Sequence, residues 1–288
     1  MKITIAIPNF RGIELLKKNL PHILGSGADE ILIIDDGSTD KSLEFLSALK
    51  IKNKELKILE HKKNRGFIPS VNELFDKASG EVVVLLNNDV FVEKDFLKPL
   101  LKHFQNPDVF AVNLHEEGQG PSIAFWNNGF YEFKKGEEKD EVQKSAWASG
   151  GSAAFRKNIW QELEGFDEIF SPFYWEDTDI SFRALKSGYE ILWEPHSNVK
   201  HEHETTIKKL NQRKVNRVRE RNQLIFIWKN VSDQKLLQEH GRFLSKRLFT
   251  KPGYWVPYLW AKLKSFGIKK AIPISNRTDL EVINYGRS

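Results

Sequence analysis

The chain has 288 residues, of which 40% are hydrophobic, so it can bury one large core and still have length for a second region. It contains no cysteine, which excludes disulfides, thiolate catalysis and cysteine-bound zinc or iron–sulfur sites and is compatible with a cytoplasmic location. The formal net charge is +5, and because the sequence has no 18-residue apolar run, we expect no membrane-spanning helix.

The first hundred residues alternate between strand and helix patterns. The N-terminal apolar stretch is too short for a signal peptide and is typical of a first strand. Alternation at this spacing favours parallel βαβ units, and therefore an α/β fold in which helices flank a mostly parallel, Rossmann-like sheet. The predicted strands are 3–7, 30–34, 56–60 and 81–86, and the predicted helices are 12–24, 42–49 and 69–78.

The middle of the chain shows a less regular pattern. Residues 116–141 are rich in glycine and charge, so we expect weak structure there. Regular patterns then return, with a helix that ends near Gly165, a helix at 180–187 and a strand at 190–193. The α/β pattern therefore continues to about residue 203.

Acidic and amide side chains follow two of the predicted strands. They are Asp35 and Asp36 after the second strand, and Asn87, Asn88 and Asp89 after the fourth. In open α/β sheets, ligands collect at the carboxyl ends of the strands, and a carboxylate there suits a hard divalent cation that carries a phosphorylated ligand. The two strand ends are therefore expected to share one crevice.

An ordered series of short motifs resembles the family 2 glycosyltransferases of GT-A fold, over roughly residues 3–203. The motifs are Ile7-Pro8-Asn9-Phe10, Asp35 to Asp40, Asn64-Arg65-Gly66-Phe67 with Asn72, Leu86 to Asp89, Gly150-Gly151-Ser152, Gly165 to Glu168, Trp175 to Asp179, and His201. Within the family, the chain is most similar to bacterial, rhamnosyltransferase-like enzymes that extend cell-surface polysaccharides. The resemblance implies an inverting enzyme that moves a sugar from a UDP-, dTDP- or GDP-sugar to a glycan or lipid-linked saccharide.

The resemblance also assigns residues to the nucleotide-sugar donor. Asp36 would accept a hydrogen bond from a pyrimidine ring NH, Asp35 would brace the turn, and Arg65 would pair with phosphate. The donor residues are Pro8, Asn9, Asp35, Asp36, Asn64, Arg65, Asn88, Gly151 and Trp175, the last stacking on a sugar face. The alternative is that residues 35–40 only cap a helix.

Two further positions match metal ligands of the family. Asp89 matches the last acidic position of the metal-binding motif, and His201 occupies the place of a ligand histidine, with His203 as its competitor. The implied ion is Mg²⁺ or Mn²⁺. Asn87 and Asn88 replace the earlier carboxylate, so we expect the metal to bind together with the nucleotide. The alternatives are that Asp89 is a turn residue and the histidine is structural.

Glycosyl transfer also needs a base that removes the proton of the acceptor hydroxyl. By resemblance, this base is Asp177 at the N-terminus of a helix, and Glu176 or Asp179 orients the base or the acceptor. The catalytic candidates are therefore Asp177 and Glu176. The alternative is that the three carboxylates only cap a solvated helix start.

The C-terminal region differs in charge from the rest of the chain. Residues 206–288 contain 19 Lys and Arg against 5 Asp and Glu, whereas residues 1–205 contain 25 against 34. We therefore divide the chain into a catalytic domain at 1–205 and a basic, aromatic-rich helical extension at 206–288. Its composition favours attachment to an anionic membrane surface on the cytoplasmic side. The alternative is that its aromatics pack on the catalytic domain or on a second subunit in a homodimer.

Other classes of function fit the sequence less well. A haloacid-type phosphatase needs Asp-x-Asp, but Gly37 occupies the second acidic place. A receiver domain would be complete in fewer residues and leaves Asp177 without a role. Nucleic acid is not expected as a partner, because no recognised motif accompanies the basic region. A non-catalytic nucleotide-sugar-binding protein stays open, since Asn87 and Asn88 in place of a carboxylate are compatible with lost activity.

Overall fold

The computed structural model describes residues 1–201, 211–267 and 276–287. Its eleven described strands are β1 (Ile3–Asn9), β2 (Glu30–Asp35), β3 (Leu56–Glu60), β4 (Val82–Leu86), β5 (Val90–Val92), β6 (Val109–Glu116), β7 (Ser122–Asn127), β8 (Phe130–Lys135), β9 (Gln143–Lys144), β10 (Ser152–Arg156) and β11 (Glu190–His201). The helices in the same ranges are α1 (Ile13–Leu24), α2 (Ser42–Lys50), α3 (Phe67–Lys77), α4 (Leu97–Leu101), α5 (Lys157–Glu162), α6 (Glu176–Lys186), α7 (Gln212–Asn230), α8 (Gln234–Thr250), α9 (Trp255–Lys264) and α10 (Asp279–Ile283).

Nine of the described strands form one central sheet. Its order is β3-β2-β1-β4-β10-β6-β11-β5, and β9 pairs with β11. The pairs β1–β2, β2–β3, β1–β4 and β6–β11 are parallel, whereas β10, β5 and β9 run antiparallel to their neighbours. Within the described residues, six of the nine strands thus share one direction. The predicted mostly parallel α/β sheet is confirmed.

Helices cover both faces of the sheet because the strand residues alternate between two apolar cores. In β4, Val83 and Leu85 belong to one core, while Val82, Val84 and Leu86 belong to the other. Helices α3, α5, α6 and α7 contribute to the first core, and α1, α2 and α4 contribute to the second. Because β4 is buried on both faces, all of its residues are hydrophobic, and its sequence at 82–86 is a continuous apolar run.

The expectation of weak structure at 116–141 is wrong. Strands β7 and β8 form a hairpin in which Asn127 pairs with Phe130, which leaves the two-residue turn Asn128-Gly129. Both turn residues have positive φ, 48° and 75°, as this tight hairpin turn requires, and Asn-Gly is its strongest sequence signal. The hairpin is stabilised because Phe130 and Tyr131 are buried in the core. The sequence does not predict this burial, because charged residues surround the two aromatic residues in the chain.

The C-terminal extension is helical and shares a core with the α/β domain. Phe226 of α7 packs against Tyr131 and Phe182 at ring distances of 4.9 and 5.3 Å. Buried Asp179 of α6 also accepts hydrogen bonds from Lys229 and Asn230 of α7. The proposed boundary between residues 205 and 206 lies outside the described residues. Within the described ranges, no helix has the length and apolar character needed to cross a bilayer.

Candidate functional site

Hydrogen bonds join the carboxyl ends of β1, β2 and β4. The Asn9 side chain donates to Asp35 Oδ2 at 2.9 Å, and Asn88 donates to Asn9 Oδ1 at 2.8 Å. The chain proceeds from β1 to β2 and β3 on one side and then to β4 on the other, so β1 and β4 flank a topological switch point. Ligands bind at such points in open α/β sheets. Asn9, Asp35 and Asn88, all predicted donor residues, meet here.

Asp36 anchors the loop that follows β3. Its Oδ1 accepts from the backbone N–H of Arg65 at 2.8 Å and contacts His61 Nδ1 at 2.6 Å, while its Oδ2 accepts from the N–H of Gly66 at 2.8 Å. The side chain of Asp36 is buried, so these bonds hold the loop against the end of β2. His61 was not predicted; it also contacts Glu73 at 3.0 Å.

The loop held by Asp36 carries two predicted donor residues. Asn64 and Arg65 are both exposed, whereas Pro8 on the neighbouring strand β1 is half-buried. The Arg65 guanidinium donates to Glu73 Oε2 at 2.6 Å, which holds it on α3. Asn72 on the same helix exchanges hydrogen bonds with the backbone of Phe166 at 2.8 and 2.9 Å. Helix α3 thus connects the donor loop to the segment that precedes α6.

A glycine loop connects the end of β4 with the start of α6. The backbone N–H of Asn87 donates to the carbonyl of Gly151 at 2.8 Å, and the N–H of Gly150 donates to Asp177 Oδ2 at 3.3 Å. A Cβ on Gly151 would lie only 2.3 Å from Asn87 Nδ2, so any larger residue would displace the Asn87 side chain. The loop therefore connects Asp177 to Asn87, the first residue after β4.

Asp89 and His201 lie next to each other, because Asp89 precedes β5 and His201 ends the neighbouring strand β11. His201 ends β11, where it pairs with Val90, and its Nε2 lies 3.0 Å from Asp89 Oδ1. Its Nδ1 lies 3.6 Å from Glu116. Burial alone would lower the pKa of His201, but the hydrogen bonds and charges of Asp89 and Glu116 raise it to about 9.

The Asp89–His201 pair supplies one oxygen and one nitrogen ligand to a shared position. Among the described residues, no group of three or more His, Asp or Glu side chains is arranged to hold a metal ion. To hold a hard cation here, His201 would have to release the proton that Asp89 and Glu116 stabilise, and the ion would take its remaining ligands from water and from phosphate oxygens. The competitor His203 lies outside the described residues.

The first turn of α6 places two carboxylates side by side. It follows two residues with left-handed backbones, Tyr174 and Trp175, at φ of 70° and 77°. Burial raises the pKa of Asp177, although Thr178 and Gly150 donate to it. Burial and the charge of Asp177 raise the pKa of Glu176 well above its ordinary value. The hydrogen bonds from Thr178 and Gly150 favour the charged form of Asp177, whereas the buried Oε2 of Glu176 has no hydrogen-bond partner in the described chain, so Asp177 is the carboxylate of the pair that ionises more readily.

Two other residues of this segment serve the core. The Trp175 ring is 6% exposed and packs on Phe226 and Tyr131 at 5.1 and 6.3 Å. Asp179 is fully buried and pairs with Arg183 at 2.8 Å and Lys229 at 2.9 Å. Burial would raise the pKa of Asp179, but these cations lower it. Asp179 therefore joins α6 to the extension, a role that the sequence does not indicate.

Comparison with known proteins assigns these features to a family. The model of glycosyl transferase family 2 matches residues 4–163. The O-antigen chain rhamnosyltransferase RfbN of Salmonella typhimurium is 27% identical over 227 residues, which cover 74% of this chain and 70% of RfbN.

Solved structures share the fold at low identity. GalNAc-T7 with UDP, GalNAc and Mn²⁺ superposes with a TM-score of 0.67 at 15% identity, covering 90% of this chain and 57% of GalNAc-T7. The mannosyltransferase PcManGT of Pyrobaculum calidifontis, in complex with GDP-Man and Mn²⁺, gives 0.61 at 16%, covering 91% and 75%. Both are GT-A glycosyltransferases, and the likeness confirms the predicted fold.

Proposed function

Because this chain belongs to glycosyl transferase family 2, we propose that it moves a sugar from a nucleotide-diphosphate sugar to an acceptor hydroxyl, with inversion at the anomeric carbon. The observation that carries this proposal is the glycine loop, which contacts both Asn87 at the end of β4 and Asp177. The acceptor we propose is a glycan or lipid-linked saccharide of a cell-surface polysaccharide, which the name of RfbN supports. We also propose that the reaction takes place in the cytoplasm. The chain has no cysteine and forms no disulfide, which is compatible with that reducing compartment.

The donor nucleotide would lie across the ends of β1, β2 and β4. Asn9, Asp35 and Asn88 form a connected hydrogen-bond network at this position, which orients them before a ligand arrives. Asp36 fixes the loop that presents Asn64 and Arg65 to the nucleotide. Preorganisation of this kind lowers the ordering cost of binding.

Asp89 and His201 would hold Mg²⁺ or Mn²⁺. When bound, the ion would neutralise charge on the departing diphosphate. The protein supplies only one carboxylate and one imidazole here, so we expect the ion to bind far better when the diphosphate is present. The proposal is supported by the Mn²⁺ that GalNAc-T7 and PcManGT hold together with their nucleotides.

Asp177 would act as the base. As the acceptor oxygen forms its bond to the anomeric carbon, the hydroxyl proton moves to a carboxylate oxygen of Asp177. The bond between the anomeric carbon and the diphosphate oxygen breaks on the opposite face, and its electron pair leaves with the nucleotide. One displacement therefore inverts the anomeric centre. Glu176, which holds its proton more tightly, stays neutral beside the base.

A thermal-shift screen tests the donor proposal. A ligand that binds only the folded state raises the Tm, so UDP-, dTDP- and GDP-sugars are compared with and without Mn²⁺. We expect one nucleotide class to raise the Tm, and to raise it further with metal. Asp89→Ala should remove the metal-dependent part. Its control is Asp140→Ala, at an aspartate whose side chain is 96% exposed. No shift with any nucleotide, or a metal effect that survives in Asp89→Ala, contradicts the proposal.

A second candidate is a nucleotide-sugar-binding protein without activity. The observation that favours it is the pair of amides, Asn87 and Asn88, at a position where the family has a carboxylate. This alternative predicts the same thermal shifts but no released nucleotide with any acceptor or with water. Release of nucleotide that depends on Asp177 would exclude it.

A further inference from the structure

The C-terminal extension presents an unusually apolar surface to solvent. Six large hydrophobic residues between positions 249 and 266 are exposed, whereas all the rest of the described chain exposes five.

 

The six residues are Phe249, Trp255, Val256, Leu259, Leu263 and Phe266, and the other five exposed large hydrophobics are scattered over the rest of the described chain. Such a concentration marks an interaction surface, whereas scattered exposed hydrophobics need no explanation.

Four of these six residues share one face of α9. Trp255, Val256, Leu259 and Leu263 are 46%, 45%, 52% and 78% exposed, and at about 100° per residue they fall within roughly a third of the helix circumference. The opposite face is buried through Pro257 and Ala261. Phe249, at the end of α8, lines a groove with Ser245, Leu248, Pro252 and Trp255 that continues this apolar face. We call these exposed residues, from Phe249 to Phe266, the α9 face.

The charge around the α9 face has one sign. From position 241 to 267 the chain has six Lys and Arg residues and no Asp or Glu. Arg242, Lys246, Lys251 and Lys262 of this segment are exposed. Lys262 also lies 4.5 Å from the centre of the Trp228 ring, which holds its charge beside the apolar face. Aromatic and aliphatic side chains with basic neighbours are the composition of a helix that lies in the headgroup region of an anionic bilayer.

We propose that the α9 face docks this protein on an anionic lipid bilayer, with α9 in the plane of the interface. The charge complementarity favours lipid over a second copy of the chain, because two identical faces, each flanked by four exposed basic residues and no acidic residue of the segment, would repel each other. Leu259, Leu263 and Phe266 insert among the acyl chains, and the lysines contact the headgroups.

Docking has a consequence for the candidate site. The buried side of α9 contacts the segment that leads to the base: Lys264 donates to the carbonyl of Ser171 at 3.1 Å, and Trp260 lies 4.2 Å from the guanidinium of Arg221, which also donates to that carbonyl. Ser171 precedes Asp177 by six residues. A docked α9 therefore places the α6 side of the crevice near the bilayer, where a lipid-linked acceptor would be found.

Vesicle flotation tests the proposal with the full chain. We compare vesicles of neutral phosphatidylcholine with vesicles that contain phosphatidylglycerol. We expect flotation with the anionic vesicles to exceed that with neutral vesicles at least tenfold, and to weaken with added salt. The triple variant Leu259→Ser, Leu263→Ser, Phe266→Ser should lose at least tenfold of the binding.

Matched variants separate docking from general surface effects. The triple control is Ile51→Ser, Val142→Ser, Leu280→Ser, which removes three exposed hydrophobics from other parts of the fold and should float like the wild type. Lys246→Glu with Lys251→Glu should weaken binding, whereas the exposed pair Lys52→Glu with Lys54→Glu should not.

The outcomes decide the proposal independently of sugar transfer. Each variant should keep the wild-type Tm and nucleotide-induced thermal shift, which shows that loss of flotation is not loss of folding or of the donor site. No flotation of the wild type, or equal flotation with both kinds of vesicle, overturns the proposal. It is also overturned if light scattering shows a dimer that the serine triple variant dissociates while vesicles are not bound.

Discussion

The two sides of the candidate site are built differently. At the end of β2, the buried carboxylates Asp35 and Asp36 each accept hydrogen bonds on both oxygens. In the first turn of α6, Glu176 has one buried oxygen without a hydrogen-bond partner in the described chain, and burial raises the pKa of Asp177. The carboxylates on the donor side thus serve to fix the loops around them, whereas the carboxylates of α6 are suited to proton transfer.

The strongest test of this contrast is Asp177→Asn. The amide keeps the size of the side chain but cannot accept a proton, so transfer should fall by about 10²- to 10⁴-fold. The donor side does not use Asp177, and the nucleotide-induced thermal shift should therefore stay unchanged. Steady-state release of nucleotide in the presence of acceptor measures the first effect. Near-normal turnover would contradict the assignment of the base.

Substitution of Asp179, two residues after Asp177, should lower stability, whereas Asp177→Asn should lower activity. Asp179→Ala leaves Arg183 and Lys229 buried without their shared carboxylate, which should lower the free energy of unfolding by about 3 kcal/mol. Asp167 still pairs with Lys229 and limits the loss. Urea denaturation measures the effect, with Asp177→Asn as the matched comparison. Equal stability of the two variants would show that Asp179 does not join α6 to α7 energetically.

On the donor side, Asp36→Asn should weaken the attachment of the loop at residues 64–66 and should not remove a group that takes part in the chemical step. An amide nitrogen would face either the N–H of Gly66 or the N–H of Arg65, so one backbone donor loses its acceptor at a cost of about 1–3 kcal/mol. We expect weaker nucleotide binding, measured by titration calorimetry, with little change in the rate at saturating donor. A reduced rate at saturation with unchanged affinity would contradict this role.

The sequence predicts those parts of the structure that are determined by residues close together in the chain. The apolar run 82–86 and the polar residues after it place the candidate site at the carboxyl end of β4, because a strand buried on both faces has a local signature. The same holds for the end of β2. Asp89 and His201 meet as the resemblance implies, 3.0 Å apart, although their role as metal ligands is still a proposal.

The features that the sequence does not predict depend on distant partners. Asp179 looks like any acidic residue in the first turn of a helix. Arg183 on the same helix pairs with it, but its other partners, Lys229 and Asn230, lie on α7 about fifty residues later. The Phe130 and Tyr131 pair is buried by α7 and α8, so the hairpin around it has no local apolar pattern. His61 likewise gains its role from Asp36 and Glu73, on other elements.

The smallest expected effect concerns the neighbouring carboxylate Glu176. If Glu176 keeps its proton while Asp177 ionises, Glu176→Gln replaces a neutral group by a neutral group, and transfer should stay within about tenfold of the wild type. Asp177 must be ionised to act, so the rate should fall as the pH drops through its pKa, which burial raises above its ordinary value. The acid limb of the pH–rate profile should therefore lie at higher pH than that of a free aspartate, and it should persist in Glu176→Gln. A variant that loses this limb would assign the titrating carboxylate to Glu176 instead.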